Sequence, residues 1–166
     1  TSTGGGGGGS AASTPGKLIK KYDSVIPEAA KTIYESDLAT SNSKLTEISI
    51  QVKNRVTSVE ISVEKLSGKP AEVTVEIQNP VYEYIKIDHK NLDETNIDKA
   101  KIKFKVAKNW TTSNNADPNN VVLKRFTNGN WQSLNTTKLR EDVTYIHYEA
   151  TSPGFSVFAI TFEAPP

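Results

Sequence analysis

The fold turns on residues 45–66, LTEISIQVKNRVTSVEISVEKL. Ile48, Ile50 and Val52 alternate there with Ser49 and Gln51, and Val59, Ile61 and Val63 alternate with Glu60, Ser62 and Glu64. A period of two is that of a pleated strand, which sends successive side chains to opposite faces and so buries one face and wets the other. Asn54-Arg55 separates the two runs as a turn, so this stretch alone reads as two half-buried strands.

Working outward, the same period recurs. Val73, Val75 and Ile77 alternate with Thr74 and Glu76; Ile85 and Ile87 follow Tyr82 and Tyr84; Ile102, Phe104 and Val106 alternate with lysines. Residues 121–126 and 131–134 flank Asn128-Gly129, a strong signal for a tight β-hairpin. Residues 143–148, VTYIHY, and 155–162 give the last runs, while residues 28–37 fit either a short helix or a short strand over 31–35. Ser67-Gly68-Lys69-Pro70 and Asn79-Pro80 punctuate the series. About eight or nine short strands between frequent turn signals predict an all-β, antiparallel, immunoglobulin-like sandwich. No long amphipathic helix is available for a parallel βαβ unit. The expected organisation is a Gly/Ser-rich linker or tail over 1–16, holding the unbroken run Gly4 to Gly9, a sandwich over 17–163, and a short tail over 164–166.

Composition excludes several functions. With 20 Lys and Arg against 19 Asp and Glu, the net charge is +1, without the clustered basic excess that nucleic acid or an anionic membrane surface selects. There is no cysteine, hence no disulfide or thiolate chemistry. The absence of methionine leads to the expectation of a mature product or a fragment. No apolar run in the visible chain approaches the roughly 20 residues of a membrane-spanning helix.

The catalytic inventory is thin. His147 stands in a strand run, and His89 follows Asp88 without a serine placed for a triad. Asp88, Asp93, Glu94 and Asp98, with Asn91 and Asn96, offer oxygen ligands, but their spacing is not that of a calcium loop and they read as a polar connection between sheets. Glu141 and Asp142 read as a turn. The glycine run lacks the Lys-Ser/Thr of a phosphate loop. Trp110 and Trp131 are expected to anchor the sandwich core, the alternative being exposed platforms for sugar stacking. Two acceptor sequons, Asn109-Trp110-Thr111 and Asn135-Thr136-Thr137, mark Asn109 and Asn135 as glycosylation candidates. No catalytic residue, metal site or cofactor is expected.

Five motifs occur in order: 81–87 VYEYIKI, 97–110 IDKAKIKFKVAKNW, 121–125 VVLKR, 131–136 WQSLNT and 153–160 PGFSVFAI. With 24–36 SVIPEAAKTIYES and the opening strands at 45–70, this pattern closely resembles the PGF-pre-PGF domain of archaeal cell-surface proteins, over about residues 17–162. The resemblance implies an exported, extracellular module without an enzymatic role. The expected partners are other copies of itself or other surface proteins, or a glycan. Pro153-Gly154-Phe155 is not followed by an apolar helix and basic tail, so it is expected to be a turn into the last strand rather than a sorting signal. Pro153 is expected to fix the chain's entry and Gly154 to take a positive φ. Phe155, Val157 and Phe158 would then seat against the preceding strand.

Three functions compete. The first is a structural module, in its sharper form a filament subunit that donates its N-terminal segment to a neighbour. The glycines from Gly4 to Gly9 would thread the contact, and Leu18, Ile19, Tyr22 and Val25 would fill the groove. The second is an adhesion module that presents Trp110, Trp131 or Tyr82 to a glycan or protein. The third is a hydrolase built on Asp88–His89.

Overall fold

In the computed structural model, which describes residues 16–164, the two runs of the opening stretch do not pair with each other. Leu45–Val52 forms β3 and Val56–Leu66 forms β4, and they lie in different sheets. The short link at Lys53, Asn54 and Arg55 carries the chain across the core, so that the two apolar stripes face each other. Their burial follows the alternation: Ile48, Ile50, Val52, Val59, Ile61 and Val63 are all core residues.

The remaining strands are β1 (Lys17–Val25), β2 (Lys31–Tyr34), β5 (Glu83–Lys90), β6 (Ile97–Ala107), β7 (Val121–Thr127), β8 (Asn130–Ser133), β9 (Asn135–Glu141), β10 (Tyr145–Ser152) and β11 (Val157–Phe162). Two short helices, α1 (Glu35–Leu38) and α2 (Lys108–Ser113), lie in connections. A six-stranded sheet, β1-β4-β5-β11-β7-β8, packs on a five-stranded one, β2-β3-β6-β10-β9, and all pairings are antiparallel. The molecule is thus the all-β immunoglobulin-like sandwich that the alternation predicts. Isoleucines dominate the interface, and Phe104 stacks on Tyr148 at 5.3 Å at its centre.

The strand set differs from the expected one in several places. Residues 73–77 form no strand. Held between Pro70 and Pro80, the segment is a strap over the outer face of the six-stranded sheet. Val73 is its buried anchor, while Val75 is exposed. Asn79 Nδ2 donates to the Phe162 carbonyl at 2.7 Å, and the Thr161 hydroxyl donates to the Pro80 carbonyl at 2.8 Å. This cover explains why Val157, Ala159 and Thr161 are buried although Phe158 and Ile160 are the β11 residues that face the core. Strand β10 starts at Tyr145, not Val143, which is 94% exposed in the preceding turn. Strand β11 likewise starts at Val157, leaving Phe155 in the turn. Residues 31–34 settle as a strand, with α1 following it rather than a helix over 28–37. Strands β1, β2 and β9 bring the number to eleven among the described residues; β9, NTTKLRE, lacks the alternation because nearly all its side chains are exposed on both faces.

Candidate functional site

The Pro-Gly-Phe turn is held by two charged side chains. Arg125 sits on β7 opposite Phe158 of β11, in the register that Leu123 also uses to face the core. Its side chain is 7% exposed. One terminal nitrogen, Nη2, donates to Glu94 Oε1 and also to the Phe155 carbonyl at 3.4 Å. Burial pulls the guanidinium below its ordinary proton affinity, and its Nε is enclosed without a partner. Glu94 is presented by a single 3-10 turn, Glu94–Asn96, which is capped by Asp93 as its carboxylate accepts from the Thr95 N–H at 2.9 Å. These contacts lash together three chain segments distant in sequence: the β5–β6 connection, β7 and the β10–β11 connection.

Gly154 completes the clamp in a way the sequence reading did not foresee. It does not take the positive φ expected of it; among the described glycines only Gly16 and Gly129 do. Gly154 is instead buried against the ion pair. A Cβ there would run into the Glu94 side chain and come within 2.8 Å of Arg125 Nη2. The Ser152 hydroxyl donates to the Gly154 carbonyl at 2.6 Å. Phe155 is buried with its ring 6.0 Å from that of His89, and Pro153 is exposed. Chemically the arrangement is a fastening, since the ion-paired guanidinium nitrogen is committed to chain atoms.

Two further carboxylates act similarly. Glu83 opens β5 on the core face and is 5% exposed. It accepts the Lys44 N–H at 2.9 Å and lies 3.7 Å from Lys65 Nζ, while burial raises its pKa. Asp142 closes the β9–β10 turn: Oδ1 accepts from the Thr144 and Tyr145 N–H groups at 2.8 and 2.7 Å, and Oδ2 pairs with His147 Nε2 at 2.8 Å. His147 is therefore a turn support, largely buried.

The other residues singled out by sequence fall as follows. Asp88 accepts from the backbone N–H of His89 at 3.0 Å, not from its ring. Among the described residues no three or more of Asp, Glu and His gather to hold a metal ion. Trp110 packs edge-on against Tyr82 at 5.1 Å and Phe162 at 5.8 Å, against the core. Trp131 lies outside the core: its Nε1 donates to the Val75 carbonyl at 2.8 Å, and Phe126 and Tyr84 flank it. It anchors the strap rather than the interface between sheets. Asn109 is exposed on α2, but Thr111 of its sequon is buried with its hydroxyl donating to the Lys108 carbonyl. Asn135 and Thr137 are both exposed on β9.

At the N-terminus, Gly4 and Gly9 lie outside the described residues. Strand β1 pairs with β4 of its own chain as the edge of the six-stranded sheet. Leu18 and Val25 are buried and Tyr22 is half-buried with an unpartnered, enclosed hydroxyl. Ile19 pairs with Ser62 and is only half-buried. Between Leu18 and Tyr22 on the inward side stands Lys20, whose Nζ reaches Asp37 Oδ2 of α1 at 3.0 Å. Sequence reasoning saw Glu94 only as one acid in a polar loop and passed over the Lys20–Asp37 pair. It saw Arg125 only as part of a motif, although a charge at an inward register of an apolar strand is a usable signal. No protein-family model matches the chain, and no curated protein matches it.

Proposed function

We propose that this chain is a non-catalytic structural module of an archaeal extracellular surface protein, and that copies assemble into a filament by exchanging the N-terminal strand. The archaeal and extracellular assignment rests on the PGF-pre-PGF resemblance. One structural observation carries the assembly reading. Strand β1 is the first element among the described residues, pairs with a single neighbour at a sheet edge, turns Leu18 and Tyr22 inward, and ends at the buried Val25. A strand that fills its own groove fills the same groove in a second copy with the same contacts, and such exchange is a low-cost route to assembly. Each copy then gives one strand and receives one, so the contact is head-to-tail and need not close. The non-catalytic part is supported by the way the buried and turn carboxylates, Glu83, Glu94 and Asp142, are used to tie chain segments together.

The chain lacks cysteine, so a cross-link reports exchange cleanly. Ile19 and Ser62 are register partners. Oxidising the full chain carrying both Ile19→Cys and Ser62→Cys gives a ladder of covalent multimers on a denaturing gel if β1 is exchanged. Monomer with an internal disulfide as the sole product defeats the assembly reading.

A second reading, a glycan-binding adhesion module, is favoured by a concavity of about 360 Å³ lined by Trp131, Lys124, Gln78 and Asn130. With Trp110→Phe removing the other indole, Trp131 emission responds to added neutral oligosaccharide only if this reading holds.

A further inference from the structure

We infer that Lys20 and Asp37 form the register and specificity key of strand exchange between copies of this chain. The inference rests on the assembly reading above. The inward stripe of β1 is Leu18, Lys20 and Tyr22, set against Val63, Ile61 and Val59 of β4. A cation in the middle of an apolar stripe is costly unless its head is matched, and Lys20 is matched: its stem lies by Ile61 while Nζ reaches Asp37 at 3.0 Å. The two side chains are 32% and 43% exposed, so the pair discriminates between registers more than it stabilises.

The partners belong to different sides of the hinge. β1 ends at Val25, and a tight turn follows in which the Ala29 N–H donates to the Ile26 carbonyl at 3.2 Å with Pro27 inside it. α1, which carries Asp37, lies beyond that turn and stays with the body of the molecule. If the turn opens and β1 crosses to a neighbour, the donor's Lys20 meets the acceptor's Asp37. A slip by two residues leaves the ammonium in the place of Leu18 or Tyr22, away from the carboxylate. A slip by one turns Lys21 and Asp23 inward. Tyr22 adds to the discrimination: its hydroxyl is enclosed, and both burial and the Asp37 charge hold it protonated. With Lys20 gone, Asp37 is left with that phenol, whose ring has Lys31 Nζ over it at 5.7 Å.

Charge reversal separates exchange from simple closure. A Lys20→Asp chain holds two carboxylates at the key, and an Asp37→Lys chain holds two ammoniums. Each alone has the same repulsion whether β1 is docked at home or in a neighbour, so neither gains a tendency to assemble. In an equimolar mixture every junction between unlike chains joins opposite charges. Either the carboxylate introduced at position 20 meets the ammonium introduced at position 37, or the native Lys20 meets the native Asp37. Every closed monomer meanwhile keeps its repulsion. The mixture is expected to assemble, by sedimentation, at a concentration roughly tenfold below either variant alone and below the unaltered chain. The double variant Lys20→Asp/Asp37→Lys should match the unaltered chain. Lys21→Asp mixed with Asp23→Lys makes the same change in net charge at exposed positions of β1, and should give no gain. A mixture at the key that gains nothing, or a control pair that gains as much, overturns the inference. If cross-linked ladders still form through positions 19 and 62, strand exchange itself survives that failure.

Discussion

The chain turns at Asn128-Gly129 and again at Pro153-Gly154, and on sequence both are turn signals of the same kind. At the first, Asn128 and Gly129 take φ of 52° and 76°, the left-handed pair that a two-residue hairpin between twisted strands demands. Nothing lies within 4 Å of the place where a Gly129 Cβ would stand. At the second, Gly154 has no left-handed backbone, and the volume of its missing Cβ is taken by Glu94 and Arg125. Glycine supplies backbone freedom in one turn and empty space in the other. The lesson is that the same residue in the same kind of motif can be fixed by local conformation or by groups far away in the chain.

The largest test of that contrast is Gly154→Ala. A methyl group forced against a largely buried ion pair should cost about 3 kcal/mol in chemical denaturation. In an Arg125→Met background, Glu94 loses its holder and can turn to solvent, so the same substitution should then cost under about 1 kcal/mol. Equal costs in the two backgrounds would mean that the backbone, not the clamp, requires the glycine. Gly129→Ala is the next effect, about 1 kcal/mol from left-handed strain alone. Gly129→Asn should recover most of it, since asparagine tolerates that conformation; a large residual loss would show a packing requirement there too.

The mildest effect concerns a third turn, closed by a side chain instead of glycine. The Asp142 carboxyl is held well below the usual carboxylate range, first by His147 and then by the Tyr145 and Thr144 N–H groups. A depressed folded-state pKa contributes stability that is fully present above the unfolded value near 4, and that is lost as pH falls through the folded value. The melting-temperature gap between the unaltered chain and Asp142→Asn should therefore narrow as pH falls below about 4. A gap that widens in acid would contradict the geometry of that turn.

These residues also show why the site was only partly legible. The stripes of β3, β4 and β6 were visible because each strand is buried on one face by a whole sheet, which imposes a period on the chain. The segment 73–77 has the same period, yet it is a strap, because Pro70 and Pro80 bracket it and of its apolar residues only Val73 is buried. Strand β9 has no period because all its side chains except Thr136 are exposed. Arg125 was visible only as the end of a motif strand, and its partner Glu94 lies 31 residues away in a loop of similar acids, where nothing local distinguishes it from Asp93 or Asp98. Lys20 and Asp37 are separated by 17 residues and a turn, and looked like two ordinary surface charges.

By itself, the order of apolar and polar residues determined an antiparallel two-sheet sandwich, its main strands, its tight hairpin at Asn128-Gly129 and the charge balance of its surface. These follow from constraints that act within a few residues, pleat and turn conformation above all. Only the tertiary structure decided which strands share a sheet, that β3 and β4 face each other instead of pairing, that Gly154 yields room to an ion pair, and that Lys20 of the edge strand meets Asp37. Those outcomes depend on which distant segments packing brings together, and a charge's partner is set by that meeting rather than by its neighbours in the chain.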